Sequence, residues 1–368
     1  MQSGQYTGGG VIVTIQASVS KGWLHEVTGA TFGDDYYFDP LKRRNQDLMV
    51  AEFLEQTFPR YRIHNLESNL VSLSHYSPSH LYVGGIQPNL ILGMLLGANF
   101  VAYPHQDADI SGAPLAGLSS ISDLPDPQSL RDAPLIREWS REIALLRRTQ
   151  SDAVIPPFFW DTSGRATIHG HITTALKLFG QDILLLVHDD PDFLASFYKW
   201  YGDACVVLIE TFASAADIPI RSLHIGECSA TMLGPREYRD SLIPQMESLA
   251  ERIAPLRLHH CGDCTYLLRE IASINGLRAL DTGSGTSVSE IRRTLGFRFP
   301  LDLMPPVELL VAGPEAARIE SWVNTVLSEN RDGPLCLNYH LEPGYDPCSH
   351  LLLHDALYAR GVVHPARM

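Results

Sequence analysis

Short apolar, β-branched stretches alternate along the chain with longer segments whose apolar residues recur at helical spacing. Val11–Gln16 (VIVTIQ) reads as a buried strand. Pro40 opens a helix, LKRRNQDLMVAEFLEQTF, with Leu48, Met49, Ala51 and Leu54 at helical intervals. Between them Ala17–Asp39, rich in Gly and aromatic residues, reads as a long loop of the kind that carries function. A strand-like HLYVGG, a helix LILGMLLGA and a strand at Asn99–Tyr103 follow, and then an irregular excursion at Gly117–Pro127. Leu135–Thr149 is a strongly amphipathic helix. Val154–Phe159 (VIPPFF) has internal prolines, which place such a strand at a rim or bulge. The loop WDTSGRAT leads into a helix, ITTALKLFG, and a long helix runs from Asp192 to about Ala215.

The remainder is more regular. Strands are expected at Ile218–Ile225, Leu256–Cys261, Gly276–Asp281, Arg298–Leu303 and Pro334–Asn338. Helices are expected at Pro235–Ile253, Ser287–Leu295, Pro314–Ser328 and Ser349–Arg360. Ser287 with Glu290 three residues on has the pattern of a capping box. About eight strand–helix units in sequence, with no low-complexity linker, point to a (β/α)8 TIM barrel with an N-terminal helical extension. The expected organisation is a loose tail over 1–10 and a single domain over 11–368. An open doubly wound sheet is the alternative, but no G-x-G-x-x-G follows any strand, so dinucleotide binding has no support.

Composition narrows the function classes. A net charge of -14 argues against nucleic-acid or anionic-membrane partners, which select basic patches. The longest apolar run, near Ile183–Val187, is too short to span a bilayer, and no signal-peptide pattern is visible. Six cysteines in 368 residues do not make a disulfide scaffold; reduced thiols in a cytoplasmic enzyme, some free to bind metal, are the expectation.

In such a barrel the chemistry sits at the C-terminal ends of the strands. Those positions carry His105, Trp160, Glu227, Cys228, His259, Cys261, Asp281, Asp302 and His340. The H-x-C spacing of His259 and Cys261 puts both side chains on one face of an extended segment, and imidazole with thiolate suits zinc. The alternative is a pair that only packs a strand end. Equally, Asp302 could serve as a cap or turn residue, Glu227 as an ion-pair partner of an arginine, and Trp160 as packing. His260 points the other way along the strand and is expected to be structural. Cys264, the second half of a C-x-x-C, is expected to pack.

Six segments in order resemble the uroporphyrinogen decarboxylase superfamily, which includes zinc-dependent methyltransferases acting with corrinoid proteins and thiols. They are DDYYFDP at 34–40, LPDP at 124–127, GHITTALKLFGQDILLLVHDDPDFLASF at 170–197, LGPREYRDSLIP at 233–244, HHCGD at 259–263 and YHLEPGYDP at 339–347. HHCGD resembles the H-x-C-G signature of the methyltransferase branch. The resemblance implies zinc on His259, Cys261 and a third ligand at His340, with Cys348 and Cys336 as nearby substitutes. It implies catalytic roles for Glu227 and Asp281 in orienting substrate or moving protons, and a substrate pocket involving His105, Trp160, Cys228 and Asp302. The chain departs from true uroporphyrinogen decarboxylases, whose arginine-bearing R-Q-A-G-R-Y-x-P segment is replaced by IQASVSKGWLHEVTG. It also lacks the corrinoid-binding D-x-H-x-x-G, so any corrinoid would arrive on a separate partner protein. A zinc-dependent methyltransferase acting on a thiol or similar small molecule is therefore the leading expectation. A metal-assisted decarboxylase or lyase, or a non-catalytic corrinoid-protein partner, are the alternatives. A homodimer is expected from the superfamily.

Overall fold

The computed structural model describes residues 13–61, 63–64, 75–311, 313 and 315–361. The expected loose tail over 1–10 lies outside the described residues. The strands are β1 (Val13–Val19), β2 (Ile63–His64), β3 (Leu81–Tyr82), β4 (Phe100–Val101), β5 (Asp109–Ile110), β6 (Val154–Ile155), β7 (Arg165–His169), β8 (Ser222–Gly226), β9 (Leu256–His260), β10 (Leu277–Thr282), β11 (Leu301–Leu303) and β12 (Leu335–Leu341). Eight of them form one sheet in the order β2-β1-β12-β11-β10-β9-β8-β7, and each of its pairings is parallel. Helices cross between successive strands, as parallel pairing requires, and the architecture is the (β/α)8 TIM barrel. The helical extension, at Lys21–Thr28, Asp34–Phe38 and Pro40–Thr57, follows β1. Among the described residues no helix is long and apolar enough to cross a membrane.

Side chains alternate across each strand, and the two faces differ sharply here. One face is apolar: Ile15 on β1, Leu223 and Ile225 on β8, Leu258 on β9 and Leu337 on β12 all join the main hydrophobic cluster. The alternate positions of the same strands hold Gln16, His224, Arg257 and Asn338, all buried. The large core therefore lies between sheet and helices, and the centre of the barrel is polar. Barrels of this type ordinarily fill their centres with branched aliphatic side chains.

Local signals account for many element ends. The Ser287 hydroxyl accepts from the backbone N–H of Glu290 at 3.3 Å, which starts the helix Val288–Leu295. Asp190 caps Pro191–Ala216 by accepting from Phe193 N at 3.0 Å.

Four expectations need correction. Ala17–Asp39 is not one long loop: β1 runs on to Val19, and Ser20 caps a helix at Lys21–Thr28 that buries Trp23. Asn99–Tyr103 contributes only β4, which pairs antiparallel with β5 outside the main sheet. VIPPFF keeps only two residues of strand, Val154–Ile155, before Pro156 and Pro157 end the run. The segment read as the loop WDTSGRAT instead leads directly into β7, whose polar Arg165, Thr167 and His169 disguise it as loop. In addition, the helix expected over Pro235–Ile253 is interrupted by a π-turn at Tyr238–Leu242 ahead of Pro244, which cannot donate a backbone hydrogen bond.

Candidate metal centre

The adjacent strands β8, β9 and β10 bring the site together. Gly226 pairs in register with His259, and His259 with Asp281, so their C-terminal ends lie level. Two residues beyond Gly226 comes Cys228, and two beyond His259 comes Cys261. Their sulfurs are 2.8 Å apart, and Nε2 of His259 lies 2.9 Å from Sγ of Cys261. One ligand atom from each of Cys228, His259 and Cys261 lies within 4.8 Å of the other two. This is the only such group of three or more found among the described residues.

Backbone fit holds the two loops. Glu227 N donates to His259 O at 2.9 Å, and Gly283 N donates to His260 O at 3.0 Å. A side chain at Gly283 would put its Cβ 2.0 Å from the Cys261 carbonyl oxygen, so only glycine fits there.

A chain of charged groups supports His259 from below. Its Nδ1 lies 2.8 Å from Oδ2 of Asp281. The same oxygen is 2.9 Å from Nη2 of Arg257. Arg257 also donates to Oδ2 of Asp302 from Nε at 2.9 Å and Nη2 at 2.6 Å, and its Nη1 is 2.7 Å from Nδ1 of His224. Burial alone would raise the Asp281 carboxyl, but Arg257 and His259 hold it well below the usual carboxylate range. Burial likewise opposes a charged His259, yet Asp281 outweighs it and the imidazole rises to about 10. The hydrogen bond from Cys261 is the main reason the Cys228 thiol falls to about 4, while the same contact and burial push Cys261 up.

The donor set fits a soft divalent metal. Asp281 occupies Nδ1 of His259 and leaves Nε2 facing the two sulfurs, the arrangement in which a carboxylate fixes the tautomer of a ligating histidine. Two thiolates would balance the charge of zinc, and three protein donors leave a position for a further ligand.

The other expected site residues are placed as follows. His340 is not in the group of three; its Nδ1 is 2.5 Å from Ser18 Oγ across the β1–β12 pair, and burial lowers it to about 4. Cys336 is inside the barrel on β12, and Cys348 is exposed at the start of the helix Pro347–Tyr358; neither joins the cluster. Cys228, expected to touch substrate, lies with His259 and Cys261 in this group.

Glu227 is fully buried. Its carboxylate accepts from the backbone of Ile172 at 3.2 Å and Thr173 at 3.3 Å, and from the Thr173 hydroxyl at 3.1 Å, at the N-terminus of the helix His171–Phe179. Burial nevertheless raises it to about 7 against those bonds. Gly170 makes room for it, since a Cβ there would lie 2.0 Å from its carboxyl carbon. Asp302, partly buried, accepts from Arg257 with Oδ2. Trp160 is buried, its carbonyl accepting from Tyr82 Oη at 3.0 Å. His105 is exposed, with its ring 5.5 Å from that of His25. His260 and Cys264 are structural. His260 Nδ1 is 2.8 Å from Glu227 O and its Nε2 3.1 Å from Tyr238 Oη. Cys264 is buried against Thr282 and Thr286.

Sequence reasoning passed over His224, Arg257 and His169. His169 ends β7 and is held near 4 by burial, within electrostatic reach of Cys228 and His259. The signal for His224 and Arg257 was available, since each occupies the polar alternate position of a strand whose neighbours are apolar, as in LHIG and LRLH; His169 ends a strand whose period the sequence masks.

No protein-family model and no curated protein matches the sequence. Among solved structures, a methyltransferase from Methanosarcina mazei superposes with a TM-score of 0.63 at 16% identity, over 96% of this chain and 94% of that one. A B12-independent methionine synthase from Shewanella sp. W3-18-1, in complex with selenomethionine, gives 0.46 at 9%, over 95% and 96%. The first likeness establishes the fold: a TIM barrel, here with its Cys–His–Cys cluster at the C-terminal ends of the strands.

Proposed function

We propose that the protein is a zinc-dependent methyltransferase acting on a thiol or similar small molecule at the mouth of the barrel. The observation that carries the reading is the convergence of Cys228, His259 and Cys261 within 4.8 Å, with the far nitrogen of His259 committed to Asp281. The fold shared with the Methanosarcina methyltransferase supports it. Zinc bound there would lower the pKa of a substrate thiol and keep it as thiolate at neutral pH, a far better nucleophile toward a methyl group.

The chain's own residues set up that chemistry. Asp281 fixes the tautomer and orientation of His259. Arg257 compensates the buried charge of Asp281 and ties it to β11 through Asp302. Glu227 anchors the turn that carries Cys228 to the helix His171–Phe179. His169 and His340, both held neutral by burial, would be available for hydrogen bonding to substrate. A corrinoid methyl donor would come on a separate partner protein, because the chain has no D-x-H-x-x-G segment.

The test is metal analysis followed by a methyl-transfer assay. About one zinc per chain is expected, with loss in Cys228→Ser, His259→Ala and Cys261→Ser. Incubation with methylcobalamin and a panel of small thiols should then yield the methyl thioether by mass spectrometry. Full zinc retention in all three variants would overturn the ligand set. Carbon dioxide release from a carboxylic acid, with no thioether from any thiol, would overturn methyl transfer.

A further inference from the structure

Cys228 and Cys261 are the one sulfur pair in contact among the described residues. Each lies two residues past a registered pair, Gly226 and His259, on neighbouring parallel strands. Their Sγ atoms are 2.8 Å apart, while a disulfide requires about 2.05 Å between sulfurs and Cα atoms roughly 4.4–6.8 Å apart. The two sulfurs are already in contact, and about 0.8 Å of approach remains to reach bonding distance. The backbone contact Glu227 N to His259 O joins the two loops, and Gly283 N to His260 O ties the Cys261 loop to the end of β10.

We propose that Cys228 and Cys261 are a peroxide-sensitive modification site, closing into a reversible disulfide that excludes the metal. The inference rests on the reading of Cys228, His259 and Cys261 as metal donors and adds regulation to it.

Exposure orders the steps. With zinc bound both sulfurs would be thiolates, and Cys261 is exposed while Cys228 is half-buried, so hydrogen peroxide meets Cys261 first. Its sulfur attacks one peroxide oxygen: an S–O bond forms, the O–O bond breaks, and the departing oxygen leaves as water, giving a sulfenic acid. The Cys228 sulfur then attacks that sulfur: the S–S bond forms, the S–O bond breaks, and a second water leaves. The two thiols give up two electrons and two protons, and one peroxide becomes two waters. A dithiol reverses the change by thiol–disulfide exchange.

The disulfide turns two anionic donors into neutral, weakly coordinating sulfur and leaves His259 alone, so metal and disulfide compete for the same atoms. The remaining cysteines offer no second pair. Cys205 and Cys264 are buried, Cys336 is inside the barrel, and Cys348 sits at the start of the final helix.

The experiment uses the full chain, reduced and loaded with zinc, then titrated with hydrogen peroxide. Released zinc is read with a chromogenic chelator, and disulfides are mapped by mass spectrometry of peptides. The expected result is release of the bound zinc in step with a Cys228–Cys261 linkage, both reversed by dithiothreitol. Cys348→Ser should behave as the parent. Cys228→Ser should form no linkage and carry Cys261 on to sulfinic acid. The inference fails if zinc-loaded protein ends with Cys228 and Cys261 unlinked, or if the linkage forms while the zinc stays. The metal reading fails separately, before any peroxide is added, if the reduced chain takes up no zinc.

Discussion

Asp281 sets one oxygen, Oδ2, 2.8 Å from Nδ1 of His259, and so commits the other ring nitrogen to the two sulfurs at the barrel mouth. Two residues on adjacent strands, paired in register, thereby determine which atom of the imidazole is free to bind. The contact divides labour between a donor that reaches the site and a carboxylate that never does.

Replacing Asp281 with Asn keeps the shape and removes the charge. Zinc affinity should fall by about 10–100-fold, the usual cost of losing such a supporting group. The site should remain assembled, because Cys228 and Cys261 are untouched. A competition titration against a chelator of known affinity reads the change; an unaltered affinity would show that Asp281 does not act through His259.

The third donor separates two ligand sets. Cys228→Ser should abolish stoichiometric zinc, whereas His340→Ala, which breaks the contact with Ser18 and leaves the cluster intact, should retain it. Elemental analysis of the two variants side by side decides. Zinc lost from His340→Ala and kept in Cys228→Ser would move the metal to the β12 side of the mouth.

Arg257 serves stability as much as the site. It is 5% exposed and bonds Asp281, Asp302 and His224 together. Arg257→Ala leaves the buried Asp281 and the partly buried Asp302 without this cation and should cost about 3–5 kcal/mol, read as a lower denaturant midpoint at constant slope. Arg257→Lys should recover only part of this, since an ammonium cannot reproduce the planar fork.

His350 gives the protein an acid limb. It is fully buried, both ring nitrogens lack a partner, and its ring stacks on Tyr339 at 4.7 Å. Burial lowers it to about 3 from an ordinary value of 6.5. Between those values the unfolded chain binds the proton and the folded chain does not. Stability from this group is therefore complete above 6.5 and falls as the pH drops toward 3. At pH 5 the loss is about 2 kcal/mol. His350→Phe should keep the stacking and make that limb shallower by this amount, with His169, His171, His260 and His340 supplying the rest, measured as stability against pH from 7 to 4.5.

The order of elements was largely legible in the sequence, because burial against the helices forces a leucine, isoleucine or valine at every second position of most strands. The strand Arg165–His169 escaped, since with only Ala166 and Ile168 apolar its period is masked by polar neighbours. His259 and Cys261 could be paired from their spacing alone, because an extended chain repeats its facing every two residues. Cys228, 33 residues earlier, could not be assigned as their companion from the chain, and neither could Asp281 be given its oxygen on His259. Those relations depend on which strands lie side by side and in what register, a property of the assembled sheet. Arg257 shows the same division: the sequence places an arginine inside the pattern LRLHH, and only the barrel surrounds it with two carboxylates and a histidine that make a buried cation tenable.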